Sequence, residues 1–391
     1  MPMTMGRYRW MGVLALLTWP LAATAGDLFY ESGTGHPILG MIQHASASID
    51  LEIYSMNDPR VDTAIRAAVK RGVEVRIIQE PHPVGSTCSI FDPAKHRKKD
   101  DPGTPDPEIL DCQRGHALVE YVNAHGGQYV PFPKDLCTIS NCLQHGKLAI
   151  FDGETAMISS GNLDKSSLCD LAEKPDNCDR DYNIVTQDPD VLDSLHTVFE
   201  NDLASTPTDL GGLDNRLTVS PESLEPITAF IASAKTSLQI ETQYLEDPTM
   251  NQAIIDAAKR GVKVSLMVAS ACSFGKPSSS TMKKWNRIYL AFDAAGATSR
   301  AFDGAMQVGG IKGYLHAKAI IVDGKRAWVG SVNGSTQSLT RNREFGIFLN
   351  DPALVRSLNA FVAGDFDDSR AESWQDSLLC KNDPKQSARA K

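Results

Sequence analysis

Apolar and polar residues alternate in two stretches of similar sequence. The first is SIDLEIYSMNDPRVDTAIRAAVKRGVEVRII, residues 48–78, and the second is SLQIETQYLEDPTMNQAIIDAAKRGVKVSLM, residues 237–267. They align without a gap at a constant offset of 189 positions. Each stretch has two segments with strand-like alternation around one segment with apolar residues at helical spacing, which predicts strand, helix, strand. Two strands connected in this way are expected to be parallel, with a right-handed crossover.

The ends of the predicted helix carry their own signals. Asp58 can accept hydrogen bonds from the first free amide groups, and Pro59 suits the first helical position, where no amide hydrogen is needed. Gly72 can end the helix in a left-handed conformation. The same residue types stand at the equivalent positions of the second stretch: Asp247, Pro248 and Gly261.

A second repeated module follows each stretch. It reads HGKLAIFDGETAMISSGNLD in residues 145–164 and HAKAIIVDGKRAWVGSVNGS in residues 316–335, with an offset of 171 positions. An Asp-Gly pair between two apolar runs predicts a β-hairpin in each copy. The smaller offset gives the first half 18 extra residues. We place them in a proline-rich, cysteine-containing surface insert at about 81–112.

The repeats divide the chain into two halves of an α/β fold. We expect the first half over residues 26–205 and the second over 206–391, because residues 206–226 are rich in Thr, Pro, Gly, Ser and Asp. Residues 1–25 have a basic start, an apolar run over 10–23 and an Ala-Thr-Ala end, which predicts a signal peptide cleaved after Ala25. A membrane anchor is the alternative, but the run is short for a span and contains Pro20. The expected location is periplasmic or secreted.

Net charge argues against nucleic-acid binding as the main task of the chain. The formal net charge is -9, and it becomes more negative when Arg7 and Arg9 leave with the signal peptide. Proteins that bind a polyanion usually carry a basic surplus. A small basic cleft on an acidic body remains compatible with this composition.

All eight cysteines follow residue 25. An even count in an exported chain predicts disulfides, although eight cysteines allow 105 pairings. Zinc binding by Cys137, Cys142 and His145 is the alternative, but the spacing does not suit a paired-cysteine zinc knuckle. Short loops favour three pairs and leave a fourth: Cys88–Cys112, Cys137–Cys142, Cys169–Cys178 and Cys272–Cys380.

The hairpin module carries the candidate chemistry. His145 and Lys147 share one face of a strand, and the hairpin can bring Asn162 near them. One neutral imidazole can attack phosphorus, and a second, protonated imidazole can donate a proton to the leaving oxygen. Lysine and asparagine can stabilise charge on the other phosphate oxygens. No dense carboxylate cluster is present, so neither a metal ion nor another cofactor is expected. The second copy repeats the three residues: His316, Lys318 and Asn333.

The duplicated His-x-Lys-x4-Asp motif resembles that of the phospholipase D superfamily, over most of the chain after residue 25. The resemblance implies two homologous halves, each a mostly parallel β-sheet flanked by helices, packed around one shared active site. It also implies metal-independent phosphoryl transfer through a covalent phosphohistidine. The residues that match the catalytic motif are His145, Lys147, Asp152, His316, Lys318 and Asp323.

Within this motif the resemblance implies that His145 is the nucleophile and His316 the general acid and base. It implies structural rather than proton-carrying roles for Asp152 and Asp323. The implied substrate phosphate-binding residues are Asn162, Asn333, Ser160 and Ser331.

The resemblance also implies an acid that orients each histidine. Asp181 in RDYN and Glu344 in REFG match that acid. The first half departs from the pattern, because Ser159 replaces the glycine seen at Gly330 and because more residues separate Asn162 from Asp181.

The motif does not identify the leaving group, so three functions stay open. The first is hydrolysis of phospholipid head-group diesters, with transphosphatidylation when an alcohol replaces water. The second is a secreted, metal-independent nuclease, and the third is a non-catalytic phosphate-binding protein. The expected partners are a phospholipid or other phosphodiester and a membrane surface, with nucleic acid under the second reading. One chain holds both copies of the motif, and each copy supplies half of the shared site (a half-site), so a monomer is expected.

Overall fold

The computed structural model describes residues 26–86, 88–93, 107–137, 142–273, 275–303 and 305–380. The predicted signal peptide therefore lies outside the described residues. The elements of the first half are β1 (Leu28–Glu31), α1 (Ile38–His44), β2 (Ser48–Ile53), α2 (Pro59–Lys70), β3 (Glu74–Gln79), α3 (Pro107–Ala124), β4 (Gln128–Pro131), β5 (Lys147–Phe151), β6 (Thr155–Ser159), α4 (Lys165–Leu168), β7 (Cys178–Arg180), β8 (Tyr182–Thr186) and α5 (Pro189–Leu203).

The second half repeats most of this order. Its elements are β9 (Leu217–Ser220), α6 (Leu224–Ala232), β10 (Ser237–Thr242), α7 (Pro248–Lys259), β11 (Lys263–Ala269), α8 (Ser279–Ala295), β12 (Thr298–Phe302), β13 (Gln307–Val308), β14 (Ile311–Leu315), β15 (Ala319–Val322), β16 (Arg326–Gly330), α9 (Thr336–Thr340), β17 (Glu344–Leu349), α10 (Pro352–Asp367), β18 (Glu372–Ser373) and α11 (Trp374–Leu378).

Each half contains one large mixed sheet. The strand orders are β1-β8-β6-β5-β2-β3-β4 and β18-β12-β11-β10-β15-β16-β17-β9. The predicted strand–helix–strand units are parallel, β2 with β3 and β10 with β11. The hairpin parts, β5 with β6 and β15 with β16, are antiparallel, because a two-residue turn joins only antiparallel strands. The α/β fold of two similar halves is confirmed, with parallel pairing from β2 through β3 to β4 and from β10 through β11 to β12, and antiparallel pairing between the other neighbouring strands of the two sheets.

The predicted helix ends are present in both halves. The Asp58 carboxylate accepts from the Arg60 amide at 2.7 Å. The Asp247 carboxylate accepts from the Thr249 amide at 2.9 Å. Gly72 and Gly261 each have φ +87°, a left-handed conformation that L side chains rarely adopt.

The predicted surface insert at about 81–112 is described only in part, because residues 87 and 94–106 lie outside the described residues. Residues 81–86 and 88–93 lie outside helices and strands, whereas residues 107–112 already belong to α3. This helix forms because apolar residues at helical spacing, including Ile109, Cys112 and Val119, are buried against the first half.

The two halves pack face to face through a shared apolar core. Both hairpins and the helices α5 and α10 contribute to it, so neither sheet buries this face alone. Separate apolar clusters lie under α6, α7 and α8 and under α1, α2 and α3. Representative buried residues of the shared core are Ile150, Ile184, Val198, Ile321, Ile347 and Val355.

Two reciprocal ion pairs cross the boundary between the halves. Arg343 of the second half binds both carboxylate oxygens of Asp202 at 2.7 and 2.8 Å. Arg180 of the first half binds both oxygens of Asp365 at 2.6 and 2.9 Å. All four residues are buried, and bidentate geometry fixes orientation as well as distance. In addition, β7 pairs in parallel with β14, so backbone hydrogen bonds also join the halves.

The four predicted disulfides are confirmed: Cys88–Cys112, Cys137–Cys142, Cys169–Cys178 and Cys272–Cys380. The zinc alternative at Cys137 and Cys142 is wrong, because their sulfur atoms bond to each other.

Candidate active site

The hairpins hold the histidine–lysine pairs at the start of β5 and β15. Asp152 and Gly153 have φ 54° and 69°, and Asp323 and Gly324 have φ 56° and 61°. Two consecutive positive φ values are the type I′ geometry that matches strand twist in a two-residue hairpin. The tight turn fixes the register of each hairpin.

Asp152 and Asp323 lie at the turns, far from the histidines of their own motifs. Seven residue steps along an extended chain correspond to roughly 20 Å. The Asp323 carboxylate accepts from the backbone amides of Lys235, Thr236 and Ser237. Burial raises the pKa of Asp323, but these amides lower it more, to about 2. Asp152 binds the amides of residues 46–48 in the same way. Both aspartates therefore anchor the hairpin to the preceding strand.

Each histidine is oriented by a carboxylate of the opposite half. His145 Nδ1 lies 2.8 Å from Glu344 Oε2, and His316 Nδ1 lies 2.9 Å from Asp181 Oδ1. The His145 amide donates to the carbonyl of Arg343 at 2.8 Å, and the His316 amide donates to that of Arg180 at 3.1 Å. Neither half-site is complete without the other half.

Both carboxylates are ionised and held in place. Burial raises the pKa of Glu344, but the positive charge of protonated His145 lowers it more, to about 2. Asn342 Nδ2 donates to its other oxygen at 3.1 Å, and the Ser338 hydroxyl donates there too. For Asp181, burial raises the pKa, but the charge of His316 and its hydrogen bond are among the effects that outweigh burial, so the pKa lies below its ordinary value.

Burial favours the neutral form of both imidazoles in the free protein. Burial lowers the pKa of His145 to about 4, against the opposing effect of Glu344. Burial and then Lys318 lower the pKa of His316. A neutral imidazole beside an ionised carboxylate must donate its Nδ1 hydrogen, so Nε2 carries the lone pair. This tautomer suits a nucleophile or a base at Nε2.

The two lysines are deeply buried. Lys147 and Lys318 are each 1% exposed, and each ammonium donates to the carbonyl of the histidine two residues earlier. Lys318 Nζ also lies 3.4 Å from the Ser160 carbonyl of the first half. Burial lowers the pKa of Lys147 to about 7 and that of Lys318 to about 8. An anion entering the site would favour the charged ammonium forms.

The predicted phosphate-binding residues divide into two groups. Asn162 and Asn333 line the same cleft as the histidines, and each has a buried amide oxygen without a protein partner. The hydroxyls of Ser160 and Ser331 are instead fully buried. Ser160 Oγ donates to Asp181 Oδ1 at 2.7 Å, and the Ser331 hydroxyl accepts from the Phe345 amide at 3.1 Å. Both serine hydroxyls thus have structural partners in the free protein, and phosphate binding by the two serines stays a prediction.

Two tyrosines near the histidines were not predicted. The Tyr54 ring lies 4.7 Å from the His145 ring, and Lys147 Nζ lies 5.1 Å from the Tyr54 ring centroid. The Tyr314 ring lies 6.5 Å from the His316 ring. The repeat could not reveal them, because Tyr54 aligns with Gln243 and Tyr314 precedes its histidine on a strand that the first copy lacks.

Both histidines line one cleft of about 820 Å³ between the halves. Its wall carries the carboxyl groups of Asp164, Asp179 and Asp303 and the ammonium group of Lys312. Burial and then Asp181 raise the pKa of Asp179 well above its usual range. The ionic side chains of the wall are therefore mixed in sign. Within the described ranges, no group of three or more His, Cys, Asp or Glu side chains could hold a metal ion.

Comparison with known proteins agrees with this geometry. A family model described as "Cardiolipin synthase, PLD-like domain" matches residues 38–203 and 227–365, one segment in each half. A probable cardiolipin synthase of Bacillus subtilis is 24% identical over 249 residues, which are 59% of this chain and 47% of that protein. Cardiolipin synthase 2 of Bacillus anthracis is 25% identical over 385 residues, 90% of this chain and 64% of that protein. The chain thus spans less than two thirds of the length of these relatives.

A solved structure shares the fold. The crystal structure of phosphatidylserine synthase from Haemophilus influenzae Rd KW20 superposes with a TM-score of 0.62 at 13% identity. The match covers 93% of this chain and 92% of that protein. Together with the family model, it confirms the duplicated α/β architecture.

Proposed function

Since this chain belongs to the phospholipase D superfamily of phosphodiester-transferring or hydrolysing enzymes, we propose that it cleaves phospholipid head-group diesters through a phosphohistidine. The observation that carries the proposal is the crossed pair of histidine–carboxylate contacts. Glu344 orients His145 and Asp181 orients His316, so that both imidazoles line one cleft in the same tautomer. One imidazole can then attack while the other manages the proton.

The first step forms the covalent intermediate. His145 Nε2 attacks phosphorus, the bond to the head-group oxygen breaks, and that oxygen takes the proton from His316 Nε2. Lys147, Lys318 and the amides of Asn162 and Asn333 stabilise the negative charge on the other phosphate oxygens. Although burial and Lys318 lower the pKa of His316 in the free protein, the bound phosphodiester anion raises it again. The acid form is thus available when it is needed.

The second step releases the product. His316 Nε2 takes a proton from water, the water oxygen attacks phosphorus, and the bond to His145 breaks. An alcohol can replace water with the same bond changes, which gives transphosphatidylation. The relatives named as cardiolipin synthases support a phospholipid as the substrate class, because cardiolipin is itself a phospholipid.

A phospholipid fits the cleft better than a nucleic acid. A nuclease needs an extended basic surface along the strand, whereas this wall has mixed charges and the chain has a net charge of -9. None of the described helices is long and apolar enough to cross a membrane.

Export to the periplasm or medium is part of the proposal. The signal-like residues 1–25 support it, and so do the four disulfides, because such bonds persist mainly in oxidising compartments.

A paired substrate assay tests the proposed function. Oxidised protein in EDTA receives vesicles of phosphatidylcholine and phosphatidylglycerol in one arm and single-stranded DNA in the other. We expect head-group release without DNA cleavage. The release should be lost in His145→Ala and His316→Ala. It should be kept in the control His125→Ala, because His125 is an exposed residue that directly follows α3. DNA cleavage without lipid turnover would replace the phospholipid proposal with the nuclease. Binding of both without turnover would leave only the non-catalytic reading.

The pH dependence of kcat/KM should differ from the one that histidines with unperturbed pKa values would give. His145 must be neutral to attack, and its pKa of about 4 keeps it so down to that pH. Lys147 must be charged, and its pKa of about 7 means that this charge is lost as pH rises above 7. We expect kcat/KM for a soluble diester whose leaving group needs no proton from His316 to be highest between these values and to fall on both sides. An acidic limb near 6.5, the pKa of an unperturbed histidine, would contradict this assignment.

A further inference from the structure

A second cavity of about 350 Å³ adjoins the catalytic cleft on the side of the second half. The two spaces share four wall residues, Gln243, Tyr244, Ser270 and Tyr314. Tyr314 lies next to His316, with 6.5 Å between ring centroids. We call this cavity the side chamber. A substrate whose phosphate lies between the two histidines could therefore place another of its parts in the side chamber.

The wall of the side chamber is largely apolar. Besides the two shared tyrosines, its aromatic residues come from α8 and α11, and β11, β12 and the loop after β11 add small aliphatic residues. Its size and lining are those of a small-molecule binding site. The apolar wall residues are Val268, Ala269, Ala271, Pro277, Trp285, Tyr289, Ala301 and Trp374.

Polar groups of the wall bind each other or residues behind it. Trp374 Nε1 donates to Asp293 at 2.9 Å, and Trp285 Nε1 donates to Glu246 at 2.5 Å. Gln243 Nε2 donates to the Tyr314 hydroxyl at 2.8 Å. A ligand in the chamber therefore meets carbon surface more than unsatisfied hydrogen-bonding groups, which favours a ligand part without polar atoms.

A disulfide holds the chamber together. Cys272–Cys380 joins the loop after β11 to the segment after α11, across 108 positions of sequence. Beside it, the Ala271 amide donates to the Ser377 hydroxyl at 2.8 Å. Ala271 and Ser377 both belong to the chamber wall. The bridge thus fixes two wall segments that are otherwise far apart in the chain.

We propose that the side chamber binds an acyl chain of the lipid substrate while its phosphate lies between His145 and His316. This inference rests on the proposed lipid function and adds a site that selects the hydrocarbon part. A cationic head group is disfavoured, because the one ionic side chain among the described wall residues is Lys276, which is itself a cation. A stacked base is disfavoured because the Tyr289 and Trp374 rings already stack on each other, 5.5 Å apart at 27°.

Acyl-chain length tests the chamber. Soluble phosphatidylcholines with two butanoyl, hexanoyl or octanoyl chains are compared with bis(p-nitrophenyl) phosphate, which has no acyl chain. Ala271→Trp fills the chamber from its half-buried wall position, and Ala291→Trp on the exposed face of α8 is the matched control. We expect kcat/KM of the wild type to rise by up to about fourfold for each methylene group that enters the chamber.

The variants distinguish the chamber from the catalytic site. We expect Ala271→Trp to lose the chain-length dependence but to keep turnover of bis(p-nitrophenyl) phosphate, and Ala291→Trp to behave like the wild type. An unchanged chain-length dependence in Ala271→Trp would overturn the chamber, as would a wild type indifferent to chain length. If the wild type cleaved bis(p-nitrophenyl) phosphate but no lipid, the proposed lipid function itself would fail.

Discussion

His145→Ala should lower kcat for phosphodiester cleavage by roughly 10⁴-fold or more, because it removes the nucleophile that forms the intermediate. His316→Ala should do the same with a phospholipid, whose alkoxide leaving group needs a proton. Bis(p-nitrophenyl) phosphate separates the two roles, since p-nitrophenolate leaves without one. With that substrate, His316→Ala should still release one equivalent of p-nitrophenol in a burst and then stop. His145→Ala should give no burst. Rapid-mixing absorbance measurements provide both results.

The burst identifies which histidine attacks. The two half-sites have nearly equal geometry, with ring-to-carboxylate distances of 2.8 and 2.9 Å. A burst from His145→Ala and none from His316→Ala would therefore reverse the assignment. A burst from both variants would remove the single-nucleophile mechanism. His125→Ala is the control for the general effect of losing an imidazole from the surface.

Lys147→Met and Lys318→Met should each lower kcat/KM by about 10²–10³-fold, as removal of one preorganised donor to a developing oxyanion does. Each ammonium is buried, so water cannot take over its contact with the phosphate oxygens when the lysine is removed. Methionine keeps most of the side-chain volume. Burial lowers the pKa of Lys147 to about 7 and that of Lys318 to about 8, so burial opposes each charge and the empty site gains little stability from either one. We therefore expect the thermal midpoint of unfolding to change little while activity falls.

The control for the lysines is Lys312→Met, on the exposed wall of the same cleft. It should change kcat/KM by only a few-fold, because a solvated charge stabilises a nearby anion weakly. A loss in Lys312→Met as large as in Lys147→Met would mean that general electrostatic attraction, rather than contact with the phosphate, explains the effect. Unfolding of the lysine variants would point to a structural role instead.

Much of the fold follows from local signals in the sequence. The repeat contains the helix cap at Asp58, the turn glycine at Gly72 and the hairpin turn at Asp152-Gly153, and all three have the predicted conformations. Three of the disulfides close short loops, and the fourth follows from the two cysteines that remain. Such features depend on residues close together in the chain, where spacing is sufficient evidence.

What the sequence could not reveal depends on how the halves face each other. Nothing in RDYN or REFG indicates that Asp181 orients the histidine of the second half and Glu344 that of the first. The same holds for Arg180 and Arg343, whose carbonyls hold the histidine amides across the boundary. The hydrogen bond from the Ser160 hydroxyl to Asp181 could not be foreseen either, because Asp181 lies 21 positions away in sequence and 2.7 Å away in space.

Trapping the intermediate tests the central claim most directly. The His316→Ala protein is mixed with bis(p-nitrophenyl) phosphate in EDTA, denatured in alkali to preserve the phosphorus–nitrogen bond, and digested for mass spectrometry. We predict a p-nitrophenyl phosphate adduct on the peptide that contains His145, localised to that residue and absent from the His145→Ala, His316→Ala double variant. Turnover by the wild type without any adduct on His145 or His316 would contradict the phosphohistidine mechanism.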